Sequence, residues 1–372
     1  MLESIELANF KAFREQTIPV SALTILSGLN GSGKSTLLQS LLVLAQSWEL
    51  GYLERGKVAL NGRHISLGTY GDVLFEGATD ESAIKIGLRW IGGEYERFTI
   101  TGTYAEQRVC QLESSLSETA FGARCRNLRF LRAERIGPRV NHELSEMGVA
   151  YSGLGISGEF VAEFLAREGA RPIAVSGCQH AKAVSTSLRD NAEAWMSEFS
   201  PNLRLLADEQ SDQDRVRLRY QYEHSRGISN EYRPTNVGFG VSYALPVVVT
   251  VLAAKPGDLL LIEAPEAHLH PKGQATMGEL MARAAQCGVQ MIVETHSDHV
   301  MNGIRVAVHQ RLVDHSKVAF LYFEWDPKHE DGATTVQRLA VDSRGRIDHW
   351  PAGFFDETDK SLEVLLGPQP EA

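Results

Sequence analysis

Cysteine is scarce in this chain, and the few that occur form no recognisable pattern. The 372 residues include four cysteines, Cys110, Cys125, Cys178 and Cys287, and no two of them stand in a CxxC pair. Their scattered spacing argues against a zinc ribbon and against a disulfide framework. We therefore expect reduced thiols, most of them buried.

Long apolar runs are missing as well. No segment approaches the ~18 consecutive apolar residues that a membrane-spanning helix needs. Residues 1–6 follow the pattern of a strand and lack a basic stretch before an apolar one, so no signal peptide is predicted. Heptads, internal repeats and low-complexity tracts are also missing, which argues against a coiled-coil arm or a solenoid. These absences predict a cytoplasmic protein with no membrane partner.

The chain has fewer positively charged than negatively charged residues. The chain has 37 lysines and arginines against 47 aspartates and glutamates, a net charge of −10. This balance argues against a surface broadly adapted to nucleic acid. Residues 124–139 nevertheless hold six arginines. We interpret them as a solvated face with structural ion pairs, and a local basic patch is the alternative.

The remaining sequence is that of a globular protein, with 43% hydrophobic and 23% charged residues. Alternating residues predict a half-buried strand at 2–10 and an antiparallel meander within 58–105. Apolar runs and helical spacing then alternate in the last third of the chain, which is typical of a parallel sheet covered on both faces. The predicted strands lie at 22–27, 258–263, 289–294, 317–324 and 334–341, and the predicted helices at 34–47, 241–254, 272–287 and 297–311.

A phosphate-binding loop is predicted between strand 22–27 and helix 34–47. Residues 28–35 read Gly-Leu-Asn-Gly-Ser-Gly-Lys-Ser, which fits GxxxxGK[ST], and Thr36 follows. Glycines allow the backbone to approach phosphate at the start of a helix. Lys34 should reach the β- and γ-phosphates, and the Ser35 hydroxyl should bind Mg²⁺.

Two acidic strand ends accompany this loop. Glu263 closes the strand at 258–263, where an unpaired carboxylate would be costly, so we expect it to help bind Mg²⁺. The strand at 289–294 is followed by His296, which a parallel sheet would place beside Glu263 and near the γ-phosphate. Glu266, His268 and His270 lie close together; we interpret them as a tight loop at a subunit contact, with a zinc site as the alternative.

A glycine–serine turn precedes the predicted helix at 241–254. Gly238 and Gly240 permit an unusual backbone, and Ser242 stands at the helix start. A serine and free N–H groups at such a position can bind an anion.

Taken in order, these motifs resemble ATP-binding-cassette-type ATPases of the SMC and OLD group. The resemblance is closer to the compact bacterial AAA-family ATPases that are often encoded in genome-defence loci. It extends over nearly the whole chain and ends on a segment similar to an uncharacterised C-terminal family. The residues that carry it are 9–13 (Asn-Phe-Lys-Ala-Phe), the phosphate loop, 133–139, 238–242, 262–271, 294–297 and 347–357.

The resemblance implies an α/β fold of the ABC/SMC-type P-loop ATPase head. It would have a mixed central sheet, an antiparallel meander and an inserted, mostly helical subdomain. Residues 1–109 would form an N-terminal lobe with the phosphate loop, 110–232 the helical or mixed insertion, and 233–372 a C-terminal lobe. The insertion is where we expect partner specificity.

The resemblance also implies site residues. ATP, with Mg²⁺ as cofactor, would be sandwiched in a homodimer, with Gly238, Gly240 and Ser242 of one subunit meeting the γ-phosphate bound by the other. Glu263, Glu266 and His296 would take part in catalysis, His296 as the γ-phosphate sensor. Leu269 and His270 would cross the dimer interface. The residues implied on the ATP side are Lys11, Phe13, Asn30, Gly31, Ser32, Gly33, Lys34, Ser35 and Thr36.

The chain departs from that pattern in two places. Ala264 occupies the usual position of the glutamate that activates water, and alanine can neither orient nor deprotonate water. Hydrolysis should therefore be slow unless Glu266, two residues on, substitutes. No glutamine matches the Q-loop, although the turn at 67–72 stands roughly where one is expected.

An ATP-driven switch that controls an effector encoded nearby, such as a nuclease, is the leading functional hypothesis. An SMC-like ATPase acting directly on nucleic acid is the alternative. A self-contained OLD-type nuclease is disfavoured because only about 75 residues follow His296, too few for its nuclease domain. A transporter subunit is disfavoured by the SMC-like motif set.

Overall fold

The computed structural model describes residues 1–79, 82–103, 108–114, 120–145, 153–210, 215–325, 332–351, 354, 361–362 and 365–366. The motif at 347–357 therefore lies partly outside the described residues. The helices are α1 (Lys34–Glu49), α2 (Tyr70–Val73), α3 (Ala120–Cys125), α4 (Val161–Glu168), α5 (Leu188–Phe199), α6 (Phe239–Leu252), α7 (Pro271–Gln286) and α8 (Asp298–His309). The strands in the first half of the chain are β1 (Leu2–Phe10), β2 (Phe13–Pro19), β3 (Leu23–Gly28), β4 (Lys57–Ala59), β5 (Ile84–Trp90), β6 (Tyr95–Thr101), β7 (Val109–Ser114), β8 (Leu128–Leu131) and β9 (His142–Glu143). Those in the second half are β10 (Leu203–Gln210), β11 (Arg215–His224), β12 (Gly227–Ile228), β13 (Leu259–Glu263), β14 (Gln290–Glu294), β15 (Val318–Trp325) and β16 (Thr334–Leu339).

The central sheet has the strand order β16-β15-β3-β14-β13-β8. All neighbouring pairs are parallel except β15 and β16. Strands β3, β13 and β14 are buried along nearly their whole length because both faces of the sheet are covered. Alternate residues feed two cores, so that Ile25 packs on the side of α6, α7 and α8, and Leu26 on the side of α1. The mixed central sheet predicted from the sequence is confirmed.

A second sheet covers the other side of α1. Its order is β2-β1-β5-β6-β7-β4, and every pair is antiparallel. This is the meander that alternating residues predicted within 58–105, joined to the N-terminal strands. Helix α1 lies between the two sheets, and most of its residues from Lys34 to Ser47 are consequently buried.

The segment between the two lobes combines helices with a small sheet. Strands β9, β10, β11 and β12 form antiparallel pairs, and α4 and α5 pack against β10. Strand β7 joins the meander and β8 joins the central sheet. The part of residues 110–232 that stands apart from the two large sheets therefore begins after β8.

The arginines of residues 124–139 do not form one face. Arg124 pairs with Glu94 at 2.6 Å, Arg129 with Asp258 at 3.4 Å, and Arg132 with Glu134 at 3.6 Å. Arg135 is buried. The interpretation of this segment as a source of structural ion pairs is confirmed for these three residues.

The cysteines match the expectation from their spacing. All four are free thiols; Cys110, Cys125 and Cys178 are buried and Cys287 is half-buried. Within the described residues, the helices are too short or too polar to cross a membrane.

Candidate nucleotide-binding site

A cavity of about 900 Å³ opens at the carboxyl edge of the central sheet. Because β3, β14 and β13 run parallel, their last residues meet at this edge. Most of the residues predicted to contact ATP line the cavity: Lys11, Asn30, Gly31, Gly33, Lys34, Ser35 and Thr36. The sequence therefore places the phosphate loop where the fold leaves room for a ligand.

The phosphate loop depends on two of its glycines. Gly28 has φ +142°, and a Cβ there would lie 2.3 Å from the carbonyl oxygen of Phe323. Gly33 has φ +89°, and a Cβ there would lie 2.9 Å from the Ala12 side chain. Any larger residue at these positions would be strained and would also clash. The loop can take this path only because it is glycine at both points.

Lys34 lies over the loop that precedes it. Its ammonium donates hydrogen bonds of 2.9 Å to the carbonyl of Gly28 and 2.8 Å to that of Leu29. Burial lowers the pKa of Lys34, and the nearby Glu294 carboxylate opposes that shift. A cation is thus held at the start of α1, where backbone N–H groups also favour an anion.

Ser35 contacts an acid that sequence reasoning did not select. Its hydroxyl donates a 2.9 Å hydrogen bond to Oε2 of Glu294, which also lines the cavity. Glu263 is one strand further from the loop, because β14 lies between β3 and β13. Its Oε2 accepts a 2.9 Å hydrogen bond from the backbone N–H of Ala133. The magnesium role assigned to Glu263 stays a prediction, and Glu294 is the acid that touches Ser35.

Glu263 and Glu294 stand side by side as register partners of the parallel pair β13–β14. Burial raises the pKa of Glu263, and the Glu294 carboxylate adds to this shift, whereas the hydrogen bond from Ala133 opposes it. Two neighbouring carboxylates and a serine hydroxyl are hard oxygen donors. The set therefore fits Mg²⁺, with Ser35 and Glu294 at the cavity and Glu263 behind them.

Of the two ATP-binding residues predicted from the 9–13 motif, one lines the cavity and the other is buried. Lys11 lines the cavity, has φ +49°, and has its pKa lowered by burial. Phe13 is fully buried and packs edge-to-face against Phe323, with ring centroids 6.3 Å apart. The prediction that Phe13 lies beside the nucleotide is therefore wrong, because its ring fills the core beneath β1 and β2.

Ser32 is also set back from the cavity. It is 3% exposed, and its hydroxyl finds no hydrogen-bond partner among the described residues. Its carbonyl accepts a 3.1 Å hydrogen bond from the Thr334 hydroxyl. The loop is thereby tied to the first residue of β16.

The segment after β13 forms a tight loop. Ala264 has φ +42°, and its N–H donates a 2.8 Å hydrogen bond to the Glu294 carbonyl. Oε1 of Glu266 accepts a 2.8 Å hydrogen bond from the backbone N–H of His296, while its buried Oε2 has no partner among the described residues. The His296 side chain is exposed. Glu263, Glu266 and His296 thus share the sheet edge but do not line the cavity that the described residues form.

The glycine–serine turn opens α6, as predicted, with Gly238 at the N-cap. A Cβ on Gly240 would lie 2.4 Å from the His268 carbonyl, so glycine is needed there for close approach. The Ser242 hydroxyl is buried. Phe239, at the start of the helix, is 47% exposed. The turn does not line the cavity of its own chain.

The two histidines after Glu266 have structural partners. The His268 ring packs edge-to-face against Phe239 and Tyr243, at 4.8 and 4.5 Å between centroids. Nδ1 of His270 caps α7 by accepting from the N–H of Lys272. Among the residues that the structure describes, no group of three metal-ligating side chains is arranged to hold a metal ion. The zinc alternative therefore has no geometric support.

Several residues that line the cavity lacked a signal in the sequence. Asp72 ends the turn at 67–72 and accepts hydrogen bonds from the Thr69 backbone and hydroxyl, so part of the expected Q-loop position does face the site. Glu76 follows on the next turn, and Gln39 lies on α1. Trp325 belongs to β15, far away in the sequence. Only the tertiary fold brings these side chains together.

Three stretches of the chain match known protein families. Residues 1–86 match a family described as "AAA ATPase domain", and residues 181–302 one described as "AAA domain, putative AbiEii toxin, Type IV TA system". Residues 313–365 match "Protein of unknown function (DUF3696)". No curated protein matches the chain by sequence. The phosphate loop falls in the first match, and Glu263 and His296 fall in the second.

Solved structures of SMC heads share the fold. An SMC head bound to the C-terminal winged-helix domain of ScpA superposes with a TM-score of 0.54 and 14% identity, over 92% of this chain and 98% of that chain. An SMC head with an extended coiled coil from Pyrococcus furiosus, bound to the C-terminal domain of ScpA, also gives 0.54 and 14%, over 98% and 99%. The chain therefore has stretches similar to AAA-type ATPase domains and an SMC-head-like fold.

Proposed function

We propose that this protein binds ATP with Mg²⁺ in the cavity at the edge of its central sheet and hydrolyses it slowly. The observation that carries the proposal is the joint placement of Lys34 and Ser35 at the start of α1, with Glu294 2.9 Å from the Ser35 hydroxyl. Lys34 neutralises the β- and γ-phosphates. Ser35 and Glu294, with Glu263 on the neighbouring strand, would hold Mg²⁺, and the metal would supply charge neutralisation for the bound triphosphate.

Slow hydrolysis follows from the loop after β13. Ala264 offers no group that can orient or deprotonate water. Glu266 is the nearest substitute, because its Oε1 is fixed by the His296 N–H and its Oε2 is left without a protein partner among the described residues. We assign Glu266 as the general base and His296 as the group that senses the γ-phosphate.

The functional unit is an ATP-sandwiched homodimer. Gly238, Gly240 and Ser242 lie outside the cavity of their own chain, and the exposed Phe239 marks the same turn as part of the surface. In the dimer this turn closes over the phosphates bound by the partner subunit. Closure driven by ATP and release after hydrolysis make the dimer a switch.

The switch controls a protein effector in bacterial genome or anti-phage defence, and a nuclease encoded nearby fits this role. The proposal is supported by the resemblance to ATPases of defence loci and by the match of residues 181–302 to a family whose description names a toxin. The helices α4 and α5 and the small sheet β9–β12 carry partner specificity. The SMC heads of similar fold are bound to a protein, ScpA.

An SMC-like ATPase that acts directly on nucleic acid is the second candidate. The observation in its favour is the fold shared with SMC heads over at least 92% of the chain. The net charge of −10 and the ion pairs that occupy Arg124, Arg129 and Arg132 weigh against it.

ATP affinity of the Lys34→Ala variant tests the site. The variant loses the Lys34 ammonium, which contacts two carbonyls of the phosphate loop. Its affinity for Mg²⁺–ATP should therefore fall about 100-fold or more, or roughly 3 kcal/mol. Lys57→Ala, at an exposed position of β4, is the control and should bind as the wild type does. Equal affinities for both variants would remove the site assignment.

Sedimentation with and without ATP tests the dimer. ATP should drive dimerisation of the wild type, and Ser242→Arg should abolish it. Because the Ser242 hydroxyl is buried, Phe239→Glu provides a second variant at an exposed position of the same turn. Ser343→Arg, in an exposed turn, is the control. A dimer that forms equally in all variants would contradict the proposed ATP-sandwiched homodimer.

Co-expression with the products of neighbouring genes tests the effector. The wild type should bind one of them and protect cells from phage, and Lys34→Ala should fail to protect. Equal protection by the wild type and by Lys34→Ala would mean that defence does not require ATP binding.

A further inference from the structure

The hairpin of β15 and β16 is fixed to the phosphate loop at the end where the two strands are connected. The backbone N–H of Thr334 donates a 2.9 Å hydrogen bond to the Ala12 carbonyl, and the Thr334 hydroxyl donates a 3.1 Å bond to the Ser32 carbonyl. Thr334 therefore links the turn between β1 and β2 with the loop that should hold the phosphates. A side chain next to Thr334 on the same face of the hairpin has a defined position relative to that loop.

Trp325 is that side chain. It is the register partner of Thr334 across the antiparallel pair, so the two side chains project from the same face of the ladder. Both line the cavity. Trp325 Nε1 donates a 2.9 Å hydrogen bond to the Gly332 carbonyl, and Gly332 lines the cavity too. The indole is thus oriented by its polar edge while its ring remains available.

The exposure of Trp325 sets it apart from the other aromatic residue of the cavity wall. Trp325 is 53% exposed, whereas Phe75 is 5% exposed and belongs to the protein interior. Phe13, which the resemblance placed on the ATP side, is completely buried. Of the aromatic rings that line the cavity in the described part of the chain, the Trp325 ring is therefore the one that a ligand can cover.

We propose that the indole of Trp325 forms the surface on which the base of the bound nucleotide stacks. The inference rests on the proposed function, because it assumes that the triphosphate occupies the loop at residues 28–35. Besides the phosphate loop, the wall of the cavity of about 900 Å³ includes Lys11, Trp325 and Gly332. A flat, oriented ring in that wall fits a flat heterocycle, and stacking on an aromatic face contributes affinity for any base.

The stacking role separates two parts of the ligand. The phosphate loop binds the triphosphate, and Trp325 binds the base. Because stacking does not read hydrogen-bonding edges, Trp325 should favour large purine rings over pyrimidines and discriminate weakly between adenine and guanine. ATP and inorganic tripolyphosphate therefore serve as probes with and without the group that Trp325 contacts.

Calorimetric titration of Mg²⁺–ATP and Mg²⁺–tripolyphosphate into the full chain tests the inference. Trp325→Ala should weaken ATP binding about 10-fold, as expected for the loss of one stacked base, and should change tripolyphosphate binding less than about twofold. Trp325→Phe should recover most of the ATP affinity. Trp350→Ala is the matched control, because Trp350 is an exposed tryptophan that packs on Arg305 and Phe354, away from the cavity wall.

The outcomes distinguish the inference from the function on which it rests. Equal losses for ATP and tripolyphosphate would mean that Trp325 supports the hairpin and loop, and unchanged ATP affinity would mean that no base contacts it; either overturns the inference. A wild type that binds neither probe would overturn the ATP site itself. Quenching of tryptophan fluorescence by ATP that disappears in Trp325→Phe and persists in Trp350→Ala would support the inference by an independent signal.

Discussion

The Arg135 guanidinium donates a 2.9 Å hydrogen bond to the backbone carbonyl of Ala264. The same nitrogen, Nη2, also donates to the carbonyl of Glu263. Arg135 is 3% exposed, and its Nε and Nη1 have no hydrogen-bond partner among the described residues. Burial lowers the pKa of Arg135 to about 10, and the nearby Glu266 carboxylate opposes that shift. The segment that follows β8 thus holds the end of the acidic strand in place.

Arg135→Ala should lower the free energy of unfolding by about 3 kcal/mol, since it removes two charge-assisted hydrogen bonds from a buried guanidinium to partly buried carbonyls. Urea unfolding measures this change. Arg132→Ala is the control: Arg132 is 40% exposed and pairs with a mostly exposed Glu134, so its loss should cost less than about 1 kcal/mol. Equal destabilisation of the two variants would show that the hydrogen bonds of Arg135 to the end of β13 contribute no special stability.

Steady-state hydrolysis should respond to carboxylates at positions 264 and 266. Ala264→Glu should raise kcat about 10-fold or more, because it adds a general base to the usual position. The left-handed backbone of Ala264 disfavours glutamate no more than alanine, since both carry a Cβ. Glu266→Gln should lower kcat about 100-fold with little change in ATP affinity.

The double variant Ala264→Glu/Glu266→Gln should keep the rate of Ala264→Glu. If instead Glu266→Gln has the wild-type rate, Glu266 is not the base. If Ala264→Glu alone has the wild-type rate, Glu266 already acts as a fully effective general base.

The two glycines of the turn before α6 should tolerate alanine differently. Gly240→Ala would place a Cβ 2.4 Å from the His268 carbonyl, so we expect a loss of about 2 kcal/mol in the free energy of unfolding and weaker ATP-dependent dimerisation. Gly238→Ala meets nothing within 4 Å and should cost less than about 1 kcal/mol. Thermal unfolding and sedimentation measure both effects, and equal losses would contradict the close approach.

Cys287 should react with thiol reagents below neutral pH. A hydrogen bond from the Cys178 thiol, with help from the Gly177 N–H, Lys317 and Arg283, holds the pKa of Cys287 at about 6 against the opposing effect of burial. The alkylation rate should therefore rise with pH to a midpoint near 6. Cys178→Ala removes the main donor and should move the midpoint upward, toward the ~8.5 of a free thiol.

Mass spectrometry identifies the alkylated residue. Burial raises the pKa of Cys110 to about 11, so Cys110 should stay unmodified and Cys110→Ser should leave the profile of Cys287 unchanged. A midpoint that Cys178→Ala does not move would assign the shift to another neighbour.

Local patterns in the sequence predicted much of the central sheet and the phosphate loop. The apolar runs at 258–263 and 289–294 become β13 and β14, and the glycine-rich turn leads from β3 into α1. Both follow from short-range physics: burial on two faces selects apolar residues, and close phosphate approach selects glycine. The pairing of β13 with β14 was also predicted, because consecutive parallel strands tend to be neighbours.

Contacts between distant segments were not predictable in the same way. Glu294 reaches Ser35 only because β14 lies next to β3, which no local pattern encodes. Trp325 reaches the cavity through a hairpin that returns to the loop. The prediction for Phe13 failed because an aromatic residue next to a ligand-binding motif can equally well be a core residue, and the sequence alone does not distinguish the two. The Cys178–Cys287 contact likewise joins residues that are far apart in sequence.

The position of β3 also constrains how the chain is made. Its two neighbours, β14 and β15, come from residues 290–294 and 318–325, so both edges of the strand that carries the phosphate loop stay unpaired until those residues leave the ribosome. Sheets closed by such distant strands fold slowly, and open strand edges invite aggregation in the meantime. We therefore expect nascent chains of this protein to depend on chaperones, and nucleotide binding to arise only after residues 318–325 have been synthesised.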